Sequence, residues 1–214
     1  MSVLVKICGT TSVADARLAE AAGADYVGIV VEHPPSPRSV SLEQAVAIRR
    51  SVSVPVVAVT VNLPVVRLLA IVRELHPAAM QLHGDEGIEV LTALRDAGVP
   101  VWPVVSGETN AVKARAALLR EAGAEALLLD AREASPNGVI YGGTGRVADW
   151  HLARELAASG ARLVLAGGLT PENVTRAIKA VHPWMVDVVS GVEASKGRKD
   201  RDKVRAFIEA ARSS

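Results

Sequence analysis

The chain has 214 residues, 50% of them hydrophobic and 22% charged, with 17 glycines, which excludes a disordered or collagen-like protein and leaves one large globular domain or two small ones. Its 24 basic and 23 acidic side chains give a formal net charge of +1, so no overall field draws in nucleic acid or an anionic membrane, and any anion must be bound locally. A single cysteine, Cys8, excludes an internal disulfide framework and a multi-cysteine zinc site, and six aromatics (three Trp, two Tyr, one Phe) leave an aliphatic core and few rings for a flat ligand.

In chain order, the apolar run Val3–Ile7 has no basic region before it, so it reads as a strand and not as a secretory signal. Further β-rich runs follow at Tyr26–Val31, Val54–Val61, Ala78–Leu82, Val99–Val105, Ala126–Leu129, Arg162–Leu165 and Met185–Val189. Helical patterns alternate with them at Ser12–Ala22, Leu42–Arg50, Pro64–Leu75, Gly87–Asp96, Ala111–Ala122, Val147–Ala158, Pro171–Val181 and Lys199–Ala211. Gly23, Gly98 and Gly123 each follow a helical run and lead into a strand, as left-handed helix stops do. No apolar stretch reaches the roughly 20 residues of a membrane-spanning helix, and the sequence reads as a soluble, cytoplasmic protein.

Eight strand–helix units leave roughly 27 residues per unit, close to the minimum for a strand, a helix and two loops. The expected fold is therefore α/β, a single-domain (β/α)8 TIM barrel spanning residues 1–214; an open doubly wound sheet shares the alternation but more often stops at five or six strands. In such barrels the chemistry stands at the carboxyl ends of the strands. After the first strand, alternation turns Leu4, Lys6 and Cys8 inward and Val3, Val5 and Ile7 outward. The lysine then needs an acid, and its charge is expected to lower the cysteine pKa, although a lone cysteine also serves as a small buried hydrophobe.

Arg38 in Ser36-Pro37-Arg38-Ser39 offers a planar fork for a carboxylate or phosphate, or is an ordinary surface arginine. His83, closing Gln81-Leu82-His83-Gly84, is an acid, a base, an orienting donor or a structural histidine. Asp130 follows three leucines; poor solvation there raises a carboxyl pKa and suits it to deliver a proton, with a cap or loop salt bridge as the plainer role. Glycines recur in the last three loops, at Gly142 to Gly145, Ala166-Gly167-Gly168-Leu169 and Ser190-Gly191-Val192-Glu193, where backbone N–H groups can converge on one phosphate. No Gly-Lys-Ser/Thr ending follows Gly145, which argues against a nucleotide kinase.

Together these segments, with Asp149-Trp150, Pro171-Glu172-Asn173-Val174, Asp187 and Gly197 to Asp200, resemble the phosphoribosylanthranilate isomerase family of tryptophan biosynthesis through nearly the whole chain. The resemblance implies an Amadori rearrangement of N-(5-phosphoribosyl)anthranilate, with Asp130 as general acid at the ring oxygen and Cys8 as general base at the second sugar carbon. It implies Arg38, His83, Gly143, Gly145, Gly167, Gly168, Asp187, Ser190 and Gly191 as substrate-binding positions, with no cofactor and no metal. The expected partner is a phosphorylated aminosugar, and the expected state a monomer or homodimer, with no nucleic acid and no membrane. Gly28-Ile29-Val30-Val31 and Val59-Thr60-Val61-Asn62 depart from the family where it carries aromatics, as does Val189 where a small polar residue is usual. Another phosphate-binding barrel, of the indole-glycerol-phosphate synthase or thiamin-phosphate-synthase kind, shares the fold and anion site, but no strong lysine-and-glutamate set stands at successive strand ends to support a ring-closing decarboxylation. A degenerate metabolite-binding barrel would need neither proton-transfer group.

Overall fold

The structure is a computed structural model that describes residues 3–130, 133–135, 138–140 and 148–214. Eight parallel strands form its centre: β1 (Leu4–Ile7), β2 (Tyr26–Val31), β3 (Val56–Thr60), β4 (Ala79–Leu82), β5 (Val101–Val105), β6 (Leu127–Leu129), β7 (Leu163–Leu165) and β8 (Met185–Val188). Each pairs with its sequence neighbours, and β1 pairs with both β2 and β8, which closes the sheet into a barrel. Closure leaves no barrel strand with an open edge. The helices between them are α1 (Val13–Ala21), α2 (Leu42–Arg50), α3 (Val65–Leu75), α4 (Ile88–Asp96), α5 (Thr109–Glu121), α6 (Trp150–Ala158), α7 (Val174–Val181) and α8 (Arg201–Arg212).

Two-residue periodicity divides the apolar residues into two cores. Val5, Ile7, Val27, Ile29, Val56 and Ala58 face outward and pack under the helices. Val57, Ala79, Trp102, Leu128, Val164 and Met185 face inward and fill the barrel. Trp102, 1% exposed, meets Tyr26 edge-on at 5.4 Å and Trp184 at 5.6 Å between ring centroids, and its indole N–H donates to Glu125 at 2.8 Å. Three of the six aromatics therefore plug the amino end of the barrel, and Phe207 is buried on the inner face of α8.

Where helix limits differ from the sequence expectation, capping explains the shift. The Glu108 carboxylate accepts from the N–H groups of Asn110 and Ala111, so α5 begins at Thr109. Asn173 accepts from Thr170 N–H at 2.9 Å and folds 170–173 into a turn, so Pro171 lies before α7. Asp149 caps α6 at Trp150, while Asp200 caps α8 at Arg201 and leaves Lys199 in a short antiparallel pairing with Glu193. Gly23, Gly98 and Gly123 have φ of 94°, 80° and 95°, the left-handed stops expected of them.

Candidate active site

The inward-facing positions turn polar at the carboxyl ends of the strands. The Lys6 side chain is fully buried, with its ammonium 2.9 Å from Asp187 Oδ1 on the neighbouring β8, where the two residues are in register. It also donates to Gln81 Oε1 at 2.9 Å. Burial pulls its pKa down, but Asp187 and the Cys8 sulfur more than offset this and hold the ammonium above its ordinary value.

Cys8 lies one turn of the strand beyond Lys6, 4% exposed, against the backbone of β2. The space it occupies exists because residue 28 is glycine: a Cβ there would stand 2.6 Å from Sγ. The sequence expectation that Lys6 lowers the Cys8 pKa is corrected. Burial and the Asp187 carboxylate push the thiol up, and the opposing charges of Lys6 and Lys199 do not outweigh them. The neighbouring lysine was visible in the sequence, but the burial and the acid across the β1–β8 seam were not.

Asp130 and His83 meet at the ends of β6 and β4, with His83 Nε2 3.3 Å from Asp130 Oδ2 and both residues 8% exposed. The other ring nitrogen of His83, Nδ1, lies 2.8 Å from the amide nitrogen of Gln81. An unbroken polar chain thus runs across the barrel from Asp187 through Lys6, Gln81 and His83 to Asp130. Sequence reasoning took in Gln81 only as part of a motif; its place two residues before His83, on the same face of β4, was the available signal.

Arg38 is buried and already carries a bidentate contact: its Nε and one terminal nitrogen donate to the two oxygens of Glu193, each at 2.8 Å. Lys199 lies 3.4 Å from the same carboxylate and donates to the Val189 carbonyl at 3.1 Å. Burial favours the neutral acid, but Arg38 and Lys199 together hold Glu193 below the usual carboxylate range. Burial lowers the Lys199 pKa despite Glu193. Glu193 entered the sequence reading only within Ser190–Glu193; its clasp on Arg38 spans 155 positions and has no local signature.

Gly167 and Gly168 follow β7 with φ of 84° and 62°, and Ser190 and Gly191 form a single turn of 3-10 helix after β8. A Cβ on Gly191 would collide with the Leu169 carbonyl, so the two loops approach backbone to backbone. Asn173 fastens the first loop by donating to the Gly168 carbonyl at 2.8 Å. Cys8, Arg38, His83, Asp130, Gly167, Gly168, Asp187, Ser190 and Gly191 all stand at the carboxyl end of the barrel. Gly143 and Gly145 lie outside the described residues.

Residues 5–210 match the family described as N-(5'phosphoribosyl)anthranilate (PRA) isomerase. The N-(5'-phosphoribosyl)anthranilate isomerase of Haloferax volcanii is 41% identical over 97% of this chain and 92% of its own length, and that of Myxococcus xanthus is 42% identical over 100% and 98%. Among solved structures, phosphoribosyl anthranilate isomerase from Thermotoga maritima superposes with a TM-score of 0.87 at 38% identity, covering 99% of this chain and 100% of that one. A phosphoribosyl anthranilate isomerase in complex with reduced 1-(o-carboxyphenylamino)-1-deoxyribulose 5-phosphate gives 0.84 at 36%, again over 99% and 100%. A thiamine phosphate pyrophosphorylase from Pyrococcus furiosus, 16% identical with a TM-score of 0.66, shares the fold alone. By this full-length similarity, and with the acid, cysteine and late glycine loops set around one barrel mouth, the chain belongs to the N-(5'-phosphoribosyl)anthranilate isomerase family.

Proposed function

We infer that this chain converts N-(5'-phosphoribosyl)anthranilate into 1-(2-carboxyphenylamino)-1-deoxy-D-ribulose 5-phosphate, an Amadori rearrangement serving tryptophan biosynthesis. The carrying observation is the placement, in a member of that family, of Asp130 against His83 and of Cys8 against the Lys6–Asp187 pair at one barrel mouth. Asp130, protonated, delivers its proton to the furanose ring oxygen as the bond from that oxygen to the first sugar carbon breaks. The nitrogen lone pair forms the iminium, which becomes the electron sink. Cys8, its thiol proton released to solvent as the iminium forms, removes the proton from the second sugar carbon, and the C–H electron pair flows toward the iminium nitrogen to give an enolamine. Tautomerisation to the aminoketose completes an isomerisation with no net change of atoms or electrons.

The raised thiol pKa means that the thiolate is favoured only when further positive charge reaches the sulfur. A cationic iminium beside the sulfur supplies the positive charge that Lys6 and Lys199 do not supply alone. Arg38, held by Glu193 through two of its nitrogens, presents the remaining edge of its guanidinium to the anthranilate carboxylate. Gly167, Gly168, Ser190 and Gly191, with Gly143 and Gly145, bind the phosphate, while His83 and Asp187 act on substrate through the groups they orient. The protein works as one barrel domain over residues 1–214, in the cytoplasm, as a monomer or homodimer.

The test is turnover of phosphoribosylanthranilate generated in situ, followed by loss of its fluorescence. Cys8→Ser and Asp130→Asn are each expected to lower kcat by about 10²–10⁴-fold with little change in product binding. Unchanged turnover in either variant removes that residue from the mechanism.

A further inference from the structure

The buried chain from Lys6 to Asp130 has a direction, and one residue sets it. An ammonium has three donors and no acceptor, so the Gln81 atom 2.9 Å from Lys6 Nζ must be the carbonyl oxygen. Its amide nitrogen is then the atom 2.8 Å from His83 Nδ1, and an amide nitrogen only donates. His83 Nδ1 must therefore accept, which places the proton of the neutral ring on Nε2, the nitrogen 3.3 Å from Asp130 Oδ2. The groups that fix this direction are secured: Lys6 is anchored by Asp187, and Lys6 and Gln81 are 0% and 1% exposed, so water does not compete for either contact.

We propose that Gln81 is a positioning residue for the isomerisation, fixing His83 as the Nε2–H tautomer so that the protonated nitrogen faces Asp130 Oδ2, 3.3 Å away, and Oδ1 is left to carry the transferred proton. The proposal rests on the reading of Asp130 as the acid, but the tautomer can be observed without catalysis. The opposite tautomer would set the ring N–H against the Gln81 amide N–H, two donors 2.8 Å apart at Nδ1, and leave a buried polar group unsatisfied. His33, whose pKa is lowered by burial and by the charge of a protonated His83, is a further titratable group within electrostatic reach of this ring, while the Nδ1 contact that is formed is the one to Gln81.

The experiment uses the whole protein labelled with ¹⁵N-histidine at pH 8, with the His83 resonances identified by their loss in His83→Asn. The wild type is expected to show Nδ1 in the unprotonated range and Nε2 in the protonated range. Gln81→Glu keeps the size and still pairs with Lys6, but presents an acceptor to the ring, so Nδ1 is expected to become protonated. In that variant kcat falls at least roughly tenfold while KM stays within about twofold, because substrate-binding groups are untouched. Gln81→Met, which fills the space without polar atoms, mixes the tautomers and loses less activity than Gln81→Glu at a comparable melting temperature. Protonated Nδ1 in the wild type overturns the proposal, as does a Gln81→Glu protein with Nδ1 protonated and kcat unchanged. If Asp130→Asn retains turnover while the wild-type spectrum is as expected, the acid assignment fails and the tautomer assignment stands. Should Gln81→Glu fail to fold, the wild-type spectrum and Gln81→Met still decide.

Discussion

Gly28→Ala adds one methyl group at the point where β2 passes the Cys8 side chain. The new Cβ would lie 2.6 Å from Cys8 Sγ, 3.0 Å from its Cβ and 3.1 Å from its Cα. Ordinary carbon contacts are about 3.5–4.0 Å, so Sγ must retreat by about 1 Å and the backbones of β1 and β2 must part by roughly half that. Gly28 is not in the left-handed region, so alanine brings no backbone strain and the penalty is contact alone. Overpacking of this kind costs about 1–3 kcal/mol of stability, and a 1 Å displacement of a reacting atom lowers turnover by about 10²-fold. The assay is kcat for phosphoribosylanthranilate beside a thermal melt, with Cys8→Ala/Gly28→Ala as the companion. Removing Sγ relieves the worst overlap, so the double variant should regain part of the lost melting temperature while staying inactive. Wild-type kcat and melting temperature in Gly28→Ala would refute the argument that residue 28 defines the sulfur's position.

Three further outcomes are expected. Alkylation of Cys8 by iodoacetamide in the empty enzyme should accelerate only above the ordinary thiol pKa of about 8.5, because burial and Asp187 hold the proton on sulfur; half-maximal reactivity at or below that pH would contradict this. Glu193→Gln, which leaves Arg38 without its partner, should destabilise the protein by about 3–5 kcal/mol at pH 7. Since the folded Glu193 pKa is depressed, its contribution is complete above the unfolded value of about 4.3 and fades as pH falls through the folded one. Thermal melts should therefore show the gap between wild type and variant narrowing below pH 4, and a constant gap would count against the assigned pairing. Gly191→Ala forces a methyl onto the Leu169 carbonyl and spreads the two late loops, so KM should rise and inhibition by inorganic phosphate should weaken. Unaltered phosphate inhibition would place the anion elsewhere.

The barrel was legible because its strands are short aliphatic runs and its helices are bounded by local chemistry that neighbouring residues reveal. The stops at Gly23, Gly98 and Gly123 were read correctly, since a left-handed glycine is a property of one position. The starts of α5, α7 and α8 were misplaced because a side chain, in Glu108, Asn173 and Asp200, decides where the helix begins. The left-handed ends of α3 and α7, at His76 and His182, carried no glycine to mark them. At the site, strand-end position and family resemblance together picked out Cys8, His83 and Asp130, but their partners were hidden. The Lys6–Gln81 and Arg38–Glu193 contacts cross 75 and 155 positions of sequence, and only closure of the barrel brings them together. The direction of the Cys8 pKa shift turned on burial within the closed barrel and then on the arrival of Asp187 on β8, both long-range facts. The scarcity of aromatics also has a location: Tyr26, Trp102 and Trp184, three of the six, lie at the amino end of the barrel.

The seam between β1 and β8 joins Lys6 to Asp187, and on the far side Arg212 reaches the Val3 carbonyl and Asp25. During synthesis the first strand leaves the ribosome long before its second neighbour exists. Until residue 187 arrives, the Lys6 ammonium has no acid to bury against and remains in water, and Cys8 on the same strand has no fixed seat. Of all the strands, the one bearing the cysteine waits longest for its last partner. Acquisition of activity should consequently lag behind formation of the central strands and report the final docking step, which makes catalysis itself a clock for closure of the ring.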